Sequence, residues 1–291
     1  MRNIRLLLEY DGSAYHGWQC QKNGASVQET LADAIAAITG ERVMPEGAGR
    51  TDAGVHALGQ VACFRTESRI PSERFADALN AVLPRNIAVT ASEEADMGFH
   101  PRKHATGKLY RYTVLNRPYR SALMEGRAWH VPAELDLAAM RRAAAEVAGT
   151  HDFRSFCASG HSVKTYVRTI RRAEWTGVPG EGVLQFDIEG SGFLYNMVRI
   201  LVGTMVEIGR GKRPVDDLRM LLEAGDRRKA GITAPAGGLC MMAVRYGPGA
   251  STGNGRDEPE RHGQGAPATD RADETGGCGM PDGDDEGEDE A

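Results

Sequence analysis

The sequence predicts an α+β protein: two ferredoxin-like lobes, 1–104 and 105–246, followed by a disordered acidic tail at 247–291. Three observations carry this. Over 1–104, strand patterns and two amphipathic helices follow one another in the order of a split βαβ unit. The same element order returns over 105–246 without visible repetition of sequence. From Ser251 onward the apolar periodicity stops and Gly, Asp and Glu dominate, a composition that cannot bury enough surface to offset chain entropy.

In the first lobe, residues 4–10 read as a strand that ends at the turn signal Asp11-Gly12. An aromatic and amide-rich loop follows, in which Tyr15 and Trp18 are expected to pack on the lobe. Ser26 with Glu29 forms a capping box, and Val27, Leu31, Ala34, Ile35 and Ile38 recur at helical spacing until Gly40. A short segment at 42–44 leads into a glycine-rich loop, and a strand over 58–65 leaves it. Pro71 opens a second helix with Phe75, Ala78, Leu79 and Val82 on one face, closed by Pro84. A short strand at 87–90 completes the lobe, and the basic stretch 99–104 joins it to the next.

The second lobe opens with a strand over 108–114 that puts Tyr110 and Tyr112 on one face. A helix at 137–147 ends near Gly149; strands at 167–176 and 183–189 are joined by a Pro-Gly turn. After Gly190-Ser191-Gly192 a helix is expected from 193 to 208, another over 214–222, and a last strand at 240–246. The 193–208 helix is apolar nearly all round, so it is expected to be buried. Arg199 within it must then meet a carboxylate or reach solvent along its stem.

Composition narrows the class. The 41% hydrophobic and 26% charged residues are ordinary for a globular chain, and no run approaches a membrane span or a signal peptide. Five cysteines without a CxxC read as thiols in a reducing cytoplasm rather than a disulfide frame or zinc site. The net charge of −5 conceals a division. Removing the three arginines and thirteen carboxylates of 251–291 from the totals of 35 and 40 leaves 32 basic against 27 acidic residues. A mildly basic body with an acidic tail is compatible with a polyanionic partner, without establishing one. The tail itself is open to two roles: a passive solubiliser, or a polyanion competing with an anionic partner for the basic body at low salt.

The chemistry concentrates in Gly47-Ala48-Gly49-Arg50-Thr51-Asp52-Ala53-Gly54-Val55-His56-Ala57. Glycines and alanines frame one cation and one carboxylate two residues apart. This suits a loop that delivers a carboxylate to a substrate and keeps it ionised beside a guanidinium. A dinucleotide fingerprint needs a glycine where Asp52 stands, and a Walker loop needs Gly-Lys-Ser/Thr. A glycine-rich hairpin with a solvated aspartate is the plain alternative. His56 is expected in a structural hydrogen bond, His151-Asp152 in loop structure, and Cys157 and Cys240 in packing. His100, Arg102, Lys103 and His104 are either phosphate contacts or a solvated joint.

That loop resembles the signature of the TruA-type tRNA pseudouridine synthases. Further segments resemble the family in family order: Tyr10-Asp11-Gly12 with Gly17-Trp18-Gln19, Lys108-Leu109-Tyr110-Arg111-Tyr112, His151-Asp152-Phe153, Phe193-Leu194-Tyr195-Asn196-Met197-Val198-Arg199, and Ala234-Pro235-Ala236-Gly237-Gly238-Leu239. They span 1 to about 246. The resemblance implies two ferredoxin-like halves sharing one antiparallel sheet, and a homodimer with tRNA in a basic cleft. It implies a cofactor-free isomerase converting uridine to pseudouridine at positions 38–40 of the anticodon stem-loop. By the same resemblance Asp52 matches the nucleophile, Tyr110 the tyrosine stacked on the base, Arg50 the arginine beside the flipped base, and Arg199 the arginine paired with the carboxylate. An RNA binder without turnover and an aspartate-dependent nucleoside hydrolase are the competing readings. The first has no need of a buried carboxylate pair, and the second lacks a second carboxylate in the loop.

Overall fold

The computed structural model describes residues 1–22, 24–160, 163–178 and 182–247. The acidic tail, Cys278 and the Pro179-Gly180 turn lie outside the described residues.

The first half contains β1 (Arg2–Tyr10), α1 (Val27–Thr39), β2 (Glu46–Gly47), β3 (His56–Thr66), α2 (Phe75–Asn80) and β4 (Ile87–Ala95). Ser26 caps α1 by accepting from the Glu29 amide at 3.3 Å, and Gly40 closes it in the left-handed conformation at φ 77°. α1 buries Val27, Leu31 and Ile35, in one core with Ile4, Leu6 and Leu8 of β1. Phe75 of α2 meets Phe64 of β3 edge to face at 5.4 Å. α2 is shorter than its sequence pattern: a 3₁₀ turn at Ser72–Arg74 precedes it, and Val82 is exposed. The short segment at 42–44 leads into the two-residue strand Glu46–Gly47.

The second half contains β5 (Ala105–Asn116), β6 (Trp129–His130), α3 (Leu137–Ala145), β7 (Gly149–Asp152), β8 (Val167–Thr176), β9 (Gly182–Gly190), α4 (Met197–Gly209), α5 (Asp217–Ala224) and β10 (Leu239–Tyr246). Every residue of α4 is buried except Arg199 and Glu207. Its start corrects the expected 193: Asn196 adopts φ 59°, a conformation its short polar side chain tolerates, so the helix begins at Met197 and 193–196 forms a loop. His151 and Asp152 are in strand rather than loop, because β7 pairs with β8, where the Thr150 and Thr169 hydroxyls bond at 2.8 Å.

All described strands join one sheet, ordered β4-β1-β3-β10-β5-β9-β8-β7, with β2 on β3 and β6 on β5. Each half has the split βαβ order: β4-β1-β3-β2, and β10-β5-β9-β8. The sheet is antiparallel apart from two short parallel contacts, β5 with β6 and β3 with β10. The second is the seam. β2 is so short that it engages β3 only at Ala62 and Cys63, leaving His56 and Ala57 free to pair with Cys240 and Met241. Parallel pairing sets the beginnings of β3 and β10 side by side, and with them the loops that lead into each.

Candidate active site

The loop between β2 and β3 is fixed from beneath by the motifs at the end of β1. The Tyr10 hydroxyl pairs with Thr51 Oγ1 at 2.8 Å, and Gln60 of β3 donates to the Gly49 carbonyl at 2.8 Å. The Trp18 amide donates to the Thr51 carbonyl at 3.1 Å, and the Gly54 amide to the Tyr15 carbonyl at 3.2 Å. Two glycines permit this closeness. A Cβ on Gly12 would lie 2.0 Å from the Val55 carbonyl oxygen, and one on Gly17, at φ 91°, would lie 2.4 Å from that of Thr51. Tyr15 and Trp18 are buried in this cradle. His56 is structural: its Nδ1 accepts from the Gly12 amide at 3.1 Å and its Nε2 bonds the Gly126 carbonyl at 2.8 Å.

Above the cradle an open cavity of about 300 Å³ is lined by Asp52, Arg50, Tyr110, Phe193 and Asn196, among others. Arg199 extends from α4 so that its Nη1 stands 3.7 Å from Asp52 Oδ2. The guanidinium is held in place by its own bonds: Nε donates to the Ala234 carbonyl at 2.7 Å and Nη1 to Asn196 Oδ1 at 2.8 Å. The left-handed Asn196 makes no cap bond with its side chain because that oxygen serves Arg199. The Ala234 segment is in turn fixed by Tyr112 of β5, whose hydroxyl donates to the Pro235 carbonyl at 2.8 Å. The seam between β3 and β10 thus carries Asp52 to Arg199: Gly54 lies against Ala236.

Burial pushes the Asp52 carboxyl above the usual carboxylate range, and the opposing pull of Arg199 offsets only part of that. The sequence expectation of a carboxylate held ionised by a neighbouring guanidinium is therefore corrected in its balance: the neighbour is Arg199 rather than Arg50, and burial outweighs it. Arg50 is exposed and makes no side-chain hydrogen bond or ion pair among the described residues. Tyr110 is 7% exposed and lies edge to face with Phe193 at 5.1 Å. Burial, with Tyr10 and Asp52 nearby, drives its hydroxyl well above the usual phenol range, so the ring is neutral. Among the described residues that hydroxyl has no protein hydrogen-bond partner.

The structure therefore brings Asp52, Tyr110 and Arg50 to one cavity, with Arg199, outside its lining, against Asp52. It adds residues that sequence reasoning passed over: Lys108, Arg168, Phe193 and Asn196. Lys108 was accessible from the alternation of β5, since it shares a face with Tyr110 and Tyr112. Among the described residues no group of three or more His, Cys, Asp or Glu side chains is arranged to hold a metal ion, and no helix is long and apolar enough to cross a membrane.

Residues 7–102 and 143–247 match the family model described as tRNA pseudouridine synthase. The chain belongs to that family. Its enzymes are isomerases. The chain is 51% identical over 246 residues to the tRNA pseudouridine synthase A of Acetivibrio thermocellus, covering 84% of this chain and 100% of that protein. It is 49% identical over 248 residues to that of Citrifermentans bemidjiense, covering 84% and 98%. To that of Geobacter sulfurreducens it is 49% identical over 247 residues, covering 84% and 100%. Within the pseudouridine synthase family the cavity described above, with its glycine loop and ion pair, is the candidate active site.

Proposed function

We propose that this protein isomerises uridine to pseudouridine at positions 38–40 of the tRNA anticodon stem-loop, with Asp52 as nucleophile. The observation that carries the reading is that, among the described residues, Asp52 is the one carboxylate lining the cavity, with Arg199 against it and Tyr110 beside it. Hydrolysis of a glycosidic bond calls for two carboxylates, one to protonate the leaving group and one to activate water. An isomerase that retains its base needs one carboxylate at the ribose and exclusion of water.

In the ionised state Asp52 either attacks C1′ or takes the C2′ proton to leave a glycal; both release uracil as its anion. The base turns in place and C5 bonds to C1′ as Asp52 leaves C1′ as its carboxylate or, on the glycal route, returns its proton to C2′; the C5 proton is then lost to a base or to water and N1 takes one up, restoring aromaticity. Tyr110 supplies an apolar face for the uracil ring, and its neutral hydroxyl is positioned to assist at C5. Extruding the uridine costs a few kcal/mol, which Arg50, free on the loop, offsets by filling the gap in the stack. Family resemblance supports the remaining parts of the reading: tRNA as partner, a homodimer, a cytoplasmic location, and lobes dividing at 104/105, after the end of β4 and at the start of β5.

Release of tritium from tRNA carrying 5-tritiated uridine is the deciding measurement. The reading requires stoichiometric release with the base still attached to its ribose. Free uracil in the products, or binding without release, would overturn it.

A further inference from the structure

One feature of the cavity is unused by the reaction just described: the positive charge that its lining carries beyond Arg50. Lys108 of β5 and Arg102 of the joint between the halves both line the cavity, together with Arg50 and Arg168. Against these four cations stands, among the described residues, the single carboxylate of Asp52, which already faces Arg199. Arg168 spends its guanidinium on the carbonyls of Thr165 and Val167. Neither Lys108 nor Arg102 makes a side-chain hydrogen bond or ion pair among the described residues.

Lys108 is not a surface lysine that happens to face a cleft. Its ammonium lies against the catalytic loop, and a Cβ on Gly49 would come within 2.9 Å of Nζ and 3.3 Å of Cε. The loop thus has a glycine at the point where the lysine head must fit. Burial, reinforced by the Arg102 charge, lowers the Lys108 ammonium to about 8. A half-buried cation next to a second cation is costly unless an anion arrives to share them. An uncharged uracil carbonyl would return little of that cost, whereas a phosphodiester supplies a full charge and free oxygens for both donors.

Building on the function proposed above, we propose that Lys108 and Arg102 form a subsite for a phosphodiester flanking the target uridine. The cavity would then grip the nucleotide at two points, Asp52 at the ribose and the Lys108–Arg102 pair at the adjoining phosphate. The pair holds the strand while the base turns, and it takes no part in bond making or breaking.

The charged and titratable groups that line the cavity with Lys108 are Arg50 and Asp52 of the loop, Arg102, Arg168, Tyr110 and Tyr195. A bound phosphodiester favours the protonated lysine, so RNA binding takes up a proton where Lys108 is neutral. Affinity should fall as pH rises through about 8.

The test uses the full chain and a synthetic anticodon stem-loop RNA in which each phosphate flanking the target uridine is replaced in turn by an uncharged methylphosphonate. Lys108→Met should weaken binding roughly tenfold, as expected for loss of a bond to a charged group, and lower the salt slope by about one. It should raise KM and leave kcat for tritium release nearly unchanged. One of the two methylphosphonates should weaken the wild type to the same extent and leave Lys108→Met unaffected. Lys108→Arg should restore affinity and remove its decline between pH 7 and 9, because a guanidinium does not titrate there. Additive losses from the variant and both methylphosphonates, or a Lys108→Met protein that binds as well as the wild type, would overturn the subsite. Equal thermal midpoints for Lys108→Met and Lys108→Arg exclude a folding defect as the cause of weaker binding. A wild type that binds this RNA but releases no tritium would refute the proposed function, while the methylphosphonate comparison still decides the subsite.

Discussion

Replacing Arg199 by alanine separates its two tasks, holding the fold and tuning Asp52. The guanidinium bonds the Ala234 carbonyl at 2.7 Å, in a residue with no exposed surface, and Asn196 Oδ1 at 2.8 Å. Orphaning a buried carbonyl costs about 1–3 kcal/mol. Losing a fully buried ion pair costs about 3–5 kcal/mol. The Asp52 pair stands at 3.7 Å with side chains 17% and 25% exposed, so it falls below that range. Arg199→Ala should therefore destabilise by about 2–4 kcal/mol, a loss of roughly 4–15 °C in Tm for a body of this size. Arg199 also lowers the Asp52 carboxyl against the upward push of burial, so its removal lets that carboxyl rise further. The acid limb of kcat/KM, which requires ionised Asp52, should move to higher pH. Arg199→Lys keeps a charge and should keep most of the acid limb, but it cannot span Ala234 and Asn196 as a planar fork and should lose Tm. Circular dichroism melting and tritium-release pH profiles read the two tasks independently. An unchanged Tm in Arg199→Ala would show that the guanidinium's bonds do not support the fold. An unmoved acid limb would show that Asp52 does not respond to Arg199.

Asp52→Asn should abolish tritium release and leave tRNA affinity within a few-fold, since phosphate contacts supply most of the binding. Its stability has a definite sign. The folded carboxyl titrates above its unfolded value, so its contribution to stability is present below the unfolded pKa and lost as pH rises through the folded one. A neutral amide should therefore hold or raise Tm at pH 7, and a lower Tm would refute the reasoning. Tyr110→Phe keeps the stacking ring and should retain affinity while turnover falls by about 10²-fold, the lower end of general acid–base effects; equal turnover would leave the ring as a platform alone. Gly17→Ala should lower Tm by more than the cost of backbone strain, which alone is about 1 kcal/mol, because it also drives Cβ into the Thr51 carbonyl at 2.4 Å. Its activity should fall with Thr51, and an active, stable variant would show that the cradle does not fix the loop.

Local signals made much of this legible in the sequence. The capping box at Ser26 and Glu29, the alternation of Tyr110 with Tyr112, and the all-round apolar character of α4 each depend on neighbours within a few residues. Where the reading failed, a distant contact had overridden the local pattern. The apolar run from Phe193 reads as helix until Asn196 turns left-handed and gives its side-chain oxygen to Arg199. His151-Asp152 reads as loop until β8, met only later in the chain, pairs with it. Lys108 looked like the polar start of a strand, because nothing within the strand reveals that Gly49 lies over its ammonium.

The seam gives the deepest reason for this limit. Two complete split βαβ halves would normally close their own edges, and β2 should occupy the whole outer edge of β3. Its reduction to Glu46–Gly47 leaves the start of β3 uncovered, and β10 pairs there in parallel. A longer β2 would have competed with β10 for His56 and Ala57, and an antiparallel β10 would have carried the Ala234–Gly238 segment to the opposite end of the sheet. Either change parts Asp52 from Arg199 without altering a residue of the cavity. Opening the seam by Gly59→Val, whose Cβ would lie 2.3 Å from the Met242 carbonyl oxygen of β10, should therefore lower activity through the separation of the pair. The acid limb of kcat/KM should then shift toward higher pH, as in Arg199→Ala. A fully active variant with an unmoved acid limb would show that the pair does not depend on the seam.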